Sequence, residues 1–146
     1  MNTLEARIRN KLEDIARVPD LVATLGAKHN LPQDVVLDMN VALDEVLSNI
    51  IKYAYTDERT HEIELRLTAS KDEVVAEVKD DGRPFDPLSV PSPELDRPLA
   101  ERRVGGLGIH FVRNLASGAS YSRVAGCNRL IIRIALSRGR DDRDRA

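Results

Sequence analysis

The chain has 146 residues, the length of one domain, and its 42% hydrophobic and 32% charged content excludes wholesale disorder and a membrane-embedded protein. Its 22 Lys and Arg against 24 Asp and Glu give a formal net charge of −2, without the surplus cation of a general nucleic-acid binder. Two Phe, three Tyr and no Trp offer no platform for stacking single-stranded bases. The single Cys127 excludes an intramolecular disulfide and a cysteine-based zinc site, and its strand-like surroundings suit a small buried hydrophobe.

Met1 to Lys11 contains no continuous apolar stretch, and no window approaches the ~20 apolar residues of a membrane span. A cytoplasmic chain without a signal peptide is expected. Leu4, Ala6 and Ile8 alternate with Glu5, Arg7 and Arg9, the period of a half-buried strand. Asp14 to Ala27 then reads as a helix with Pro19 in its opening turn. Leu31-Pro32 breaks the chain before a long helix from Gln33 to Tyr55. Its apolar residues Val35, Met39, Ala42, Leu43, Val46, Leu47, Ile50 and Ala54 recur at helical spacing on one broad face.

His61 to Thr68 and Glu73 to Val78 read as an antiparallel hairpin, the second strand ending at Asp80-Asp81-Gly82. From Arg83 to Arg103 there are five prolines and little periodicity, a loop long enough to be functional. Gly105-Gly106 opens a third helix, Leu107 to Ala116. Two strands, Ala119 to Val124 and Asn128 to Leu136, turn at Ala125-Gly126. The final ten residues hold four Arg and three Asp and read as a frayed tail. This order predicts an α+β two-layer sandwich, a mixed but mostly antiparallel sheet covered on one face by about three helices.

Three clusters carry chemistry. Asp38, Glu45, Asn49 and Lys52 form one polar stripe on the long helix. The stripe fits a solvated face. Yet Glu45 can take a proton, the Asn49 oxygen is a hard ligand acceptable to Mg²⁺, and Lys52 can meet phosphate. At a strand end, Asp80-Asp81-Gly82-Arg83-Pro84 fits an Asp-Gly turn. It also fits an acceptor for a ligand amine, Asp80, beside a glycine that permits close backbone approach. Gly105-Gly106-Leu107-Gly108-Ile109 leads into a helix whose N-terminus suits an anion. It is neither a dinucleotide fingerprint nor a Walker loop. His29, His61 and His110 show no metal-ligand spacing, and Tyr55 reads as a helix-end packing residue.

In order, Glu45-x-x-x-Asn49, Asp80-x-Gly82, a long loop and Gly106-x-Gly108 resemble the GHKL (Bergerat-fold) ATP-binding superfamily of gyrases and histidine kinases. Asn49 to Tyr55 resembles its N box. Asp80 to Pro87 and Gly105 to Ile109 resemble its glycine boxes. Within it the chain is most similar to the small anti-sigma-factor serine/threonine protein kinases, over about Leu4 to Leu136. Pro84 stands where the superfamily has a second glycine, a mark shared with that branch.

The resemblance implies a histidine-kinase-like ATPase domain at 1–136, with a lid at about 83–104 and a charged tail at 137–146. Glu45 would be the general base, and Asn49 would coordinate Mg²⁺. Lys52 would contact phosphate, flanked by Tyr53. Asp80 would bind the adenine amino group over Gly82. Gly105, Gly106, Leu107 and Gly108 would line the phosphate side, with Arg102 and Arg103 as lid cations inferred from charge and position. The implied function is an ATP-dependent anti-sigma factor and serine kinase. Its partners would be a sigma factor and an anti-anti-sigma antagonist, and the chain would form a homodimer, with Leu4 to Arg9 a candidate edge. A non-catalytic ATP-binding switch is the alternative. The catalytic half of a histidine kinase would need a helical dimerisation segment, and a gyrase-type machine a transducer domain.

Overall fold

A computed structural model describes residues 2–89 and 118–136. The elements in chain order are β1 (Thr3–Arg9), α1 (Val18–His29), α2 (Gln33–Tyr53), β2 (Glu62–Ala69), β3 (Glu73–Asp80), β4 (Gly118–Val124) and β5 (Cys127–Ala135). The expected third helix and the charged tail lie outside the described residues.

The strands form one five-stranded sheet in the order β1-β2-β3-β5-β4. All four of its pairings are antiparallel. The expected sheet was mixed, and among the described residues no parallel pair occurs. Two hairpins, β2-β3 and β4-β5, meet where β3 pairs with β5, and β1 closes one edge against β2.

Alternation decides which face is core. Ile63, Leu65 and Leu67 of β2, Val74, Ala76 and Val78 of β3, and Leu130, Ile132 and Ile134 of β5 are all buried. They meet Val35, Met39, Leu43, Val46, Leu47 and Ile50 from one face of α2, as successive strand residues and a 3.6-residue helical repeat require. The opposite sheet face carries charge. There Arg66 bonds Glu5 at 3.1 Å, Arg129 bonds Glu77 at 2.8 Å and Arg133 bonds Glu73 at 2.7 Å.

The first helix begins later than its periodicity suggests. Leu12–Arg17 is a 3₁₀ turn, and α1 starts at Val18 with Pro19 in its opening turn. The cause is Asp14, whose carboxylate accepts from the Arg9 backbone N–H at 2.8 Å and from the Arg9 guanidinium at 2.9 Å. This ties the turn back to β1 and holds the Asp14 carboxyl down at about 2. Cys127 is half-buried, more open than the small core residue expected of it.

Candidate active site

The middle of the polar stripe on α2, Glu45 and Asn49, is not solvated. Glu45 is 7% exposed and Asn49 5% exposed, within a helix whose neighbouring buried residues are Val46, Leu47 and Ile50. Asp38 is half-buried, and Lys52 is open to solvent near the helix end. Asn49 Nδ2 is buried without a hydrogen-bond partner. Leaving a buried polar atom unpaired costs about 1–3 kcal/mol. The Asn49 amide therefore has capacity for a polar ligand.

A half-turn of the amide presents Oδ1 where Nδ2 now lies. Mg²⁺ is commonly held by one or two protein oxygens together with substrate phosphates. An amide beside the Glu45 carboxylate one turn away fits that donor set. Among the described residues no group of three or more His, Cys, Asp and Glu side chains could hold a metal on its own.

The end of β3 is built against the end of α2. Asp80 continues the inward positions of Val74, Ala76 and Val78, so its carboxylate enters the core face and is 2% exposed. Burial pushes its pKa up, while hydrogen bonds from Asn128 and the Gly82 N–H pull the other way. The Gly82 N–H donates to Asp80 Oδ1 at 3.0 Å, which closes the Asx turn.

Gly82 is required by close approach. A Cβ there would lie 2.5 Å from the Ala54 carbonyl oxygen and 2.8 Å from its Cβ. Arg83 then finishes the helix. Its N–H donates to the Ala54 carbonyl at 2.8 Å and its Nε to the Tyr53 carbonyl at 2.7 Å, satisfying acceptors that a helix end leaves open. The Tyr53 ring packs tilted against Phe85 with centroids 5.7 Å apart. Glu45, Asn49, Lys52, Tyr53, Asp80 and Gly82 thus lie on two elements, α2 and the end of β3, that are hydrogen-bonded to each other. Arg102, Arg103, Gly105, Gly106, Leu107 and Gly108 lie outside the described residues, as does the expected lid from residue 90 onward.

Two further groups were not found from the sequence. Asn128, 2% exposed, sits opposite Asp80 in the β3–β5 register. Its Nδ2 donates to Asp80 Oδ1 and to the Arg83 carbonyl, each at 2.8 Å. Its Oδ1 accepts from the Phe85 N–H, the Tyr121 hydroxyl and the Arg123 guanidinium. The available signal was its place: Asn128 precedes Leu130, Ile132 and Ile134 on the buried face.

The second group is His61, whose Nε2 lies 2.8 Å from Asp57 and whose Nδ1 lies 3.2 Å from Asp81. It stacks on Tyr55 with ring centroids 4.6 Å apart. Asp57 and then Asp81 raise the His61 pKa. Burial, followed by Asp80 and Asp81, drives the Tyr55 hydroxyl far up, so it stays neutral.

Comparison with known proteins finds relatives and a shared fold. Over 94 residues the chain is 33% identical to the serine/threonine-protein kinase BtrW of Bordetella bronchiseptica, covering 64% of this chain and 66% of that protein. It is 25% identical over 116 residues to the serine-protein kinase RsbW of Bacillus cereus, covering 77% of this chain and 72% of that one. A third relative, the anti-sigma-F factor RsbW of Mycobacterium tuberculosis, is 32% identical over 77 residues, covering 53% and 44%. The match therefore spans about two thirds of the first relative and less than half of the third. The fold is shared with the histidine kinase domain of a blue-light activated histidine kinase from Erythrobacter litoralis. That likeness has a TM-score of 0.55 at 17% identity, over 89% of this chain and 63% of that one. Residues 8–134 match the histidine kinase-like ATPase domain, and the chain belongs to that family.

Proposed function

We propose that the chain is an ATP-dependent serine protein kinase that phosphorylates an anti-anti-sigma antagonist and also sequesters a sigma factor. The observation that carries this reading is the burial of Glu45 and Asn49 one turn apart, with the Asn49 amide short of a partner. The names of the kinase and anti-sigma relatives support it.

Phosphoryl transfer asks a protein mainly for positioning and charge neutralisation. Asn49 would hold the Mg²⁺, which would supply neutralisation of the phosphate charge. Lys52, exposed at the end of α2, meets phosphate as a point charge. Asp80 accepts from the adenine amino group in a pocket floored by Gly82. Glu45 takes the proton from the acceptor serine hydroxyl as its oxygen attacks the γ-phosphorus and the bond to ADP breaks. Arg102, Arg103 and the Gly105 to Gly108 loop serve the phosphate side, within a domain of about 1–136 whose lid runs over about 83–104. The protein acts in the cytoplasm as a homodimer, for which the edge strand β1 is a candidate contact.

The test separates chemistry from binding. General-base assistance contributes about 10²–10⁴-fold to a rate. Glu45→Ala should therefore lose that much phosphoserine formation on the antagonist with radiolabelled ATP, and still bind Mg-ATP and capture the sigma factor. An unchanged phosphorylation rate removes Glu45 from the chemistry. A parent protein that binds ATP and both partners but never phosphorylates the antagonist is a non-catalytic switch.

A further inference from the structure

Asn128 joins three pieces of chain that the proposed nucleotide pocket needs in register. Its amide orientation is not open to choice. The Phe85 N–H and the Arg123 guanidinium can only donate, at 3.1 Å each, so they face Oδ1. The Arg83 carbonyl and the Asp80 carboxylate can only accept, at 2.8 Å each, so they face Nδ2. Arg123 reinforces the arrangement by also donating to the Gly82 carbonyl at 2.8 Å. Both hydrogen bonds to Asp80, from Gly82 N–H and from Asn128, fall on Oδ1. That anchors one oxygen of the carboxylate, and Oδ2 receives neither of these bonds.

We propose that Asn128, held by Arg123, is the positioning residue that aims Asp80 at the nucleobase and thereby sets discrimination for a 6-aminopurine. The inference rests on the nucleotide-binding reading above. Asn128 acts by saturating one oxygen of Asp80 and fixing the Gly82 to Phe85 backbone. The other oxygen is then presented as a pure acceptor in one direction. An amine on the base satisfies it; a carbonyl at the same place confronts acceptor with acceptor. Loss of Asn128 lets Asp80 rotate or take up a proton, and a carboxyl that donates accepts the carbonyl base as readily as the amine.

The probes are Mg-ATP and Mg-ITP, which differ at the 6-position, titrated calorimetrically against the parent, Asn128→Asp and Arg123→Met, with a thermal melt of each. The parent should prefer ATP by about tenfold or more, the scale of one mismatched buried hydrogen bond. Asn128→Asp keeps the side-chain volume but places an acceptor against Asp80, so the ATP:ITP ratio should fall toward one, chiefly through loss of ATP affinity. A folded Asn128→Asp that keeps the parent ratio overturns the proposal, because a merely structural lesion weakens both nucleotides alike. Should Asn128→Asp fail to fold, Arg123→Met decides instead: its side chain is exposed at the sheet edge, and it should lower the ratio while Arg123→Lys restores part of it. A ratio unchanged in Arg123→Met then overturns the proposal. A parent that binds ATP and ITP equally removes Asp80 as the base reader, whereas a parent that binds neither overturns the nucleotide-binding reading itself and the role of Asn128 with it.

Discussion

Two asparagines in this molecule have the same side chain and nearly the same burial, yet opposite accounts of their hydrogen bonds. Asn128, 2% exposed, has partners for both amide hydrogens and for its oxygen. Asn49, 5% exposed, leaves Nδ2 with none. A buried amide with every partner present is part of the frame. A buried amide missing a partner carries a standing cost of about 1–3 kcal/mol, which a bound ligand can relieve. On the proposed reading, the base end of the pocket is framed before a nucleotide arrives, and the phosphate end has an amide left for it to engage.

Alanine at the two positions should separate these roles most sharply. Asn128→Ala strips partners from the Arg83 carbonyl, the Phe85 N–H and Asp80 together, and should cost about 3 kcal/mol or more in chemical denaturation. Asn49→Ala should stay within about 1 kcal/mol of the parent while losing roughly 10–100-fold in Mg-ATP affinity, the scale of a contact to a charged group. Equal stability losses would break the contrast. Gly82→Ala comes next, because its Cβ would meet the Ala54 carbonyl at 2.5 Å. Overpacking of that kind costs about 1–3 kcal/mol, and urea unfolding should show the loss, with nucleotide affinity reduced as the α2 junction shifts.

The smallest effect should be the pH dependence at His61. Its pKa is raised, first by Asp57 and then by Asp81. The stability it contributes is complete below about pH 6.5, the ordinary histidine value, and fades as pH climbs through the raised one. Melts of His61→Gln should lose that part of the slope and keep the acid-side loss from Asp14, whose stabilising pairing disappears as pH falls toward about 2. An unaltered slope would place His61 outside the titrating set.

Periodicity made most of the fold legible, because burial of one face writes itself into a strand or helix as a repeat. Val74, Ala76 and Val78 gave β3, and the apolar set from Val35 to Ala54 gave α2. Periodicity places the start of the first helix at Asp14 rather than Val18, because the pull of Arg9 that makes the 3₁₀ turn comes from another element. Glu45 and Asn49 were legible as a spacing and not as buried groups, since their surroundings depend on what packs beside α2. Asn128 went unrecognised although it stands at a core-face position. One polar residue at the start of an apolar alternation looks like a turn residue until its cross-strand partner is known to be Asp80. Asp57, His61 and Asp81 have no spacing that announces them. Asp57 and His61 share the connection from α2 to β2, and the antiparallel pairing of β2 with β3 brings Asp81 to them.

The adjacency of β3 and β5 carries a consequence for how such a chain tolerates change. Asp80 and Asn128, cross-strand partners, are 48 positions apart, so their pairing closes a long loop whose entropy must be met before the sheet is whole. Loop-closure entropy grows only logarithmically: each doubling of the intervening length costs about 0.6 kcal/mol. The β2–β3 hairpin can form locally and wait, and assembly is slowed by the return of β5 from far along the chain. Insertions and deletions between residues 90 and 117 should therefore alter folding speed more than final stability.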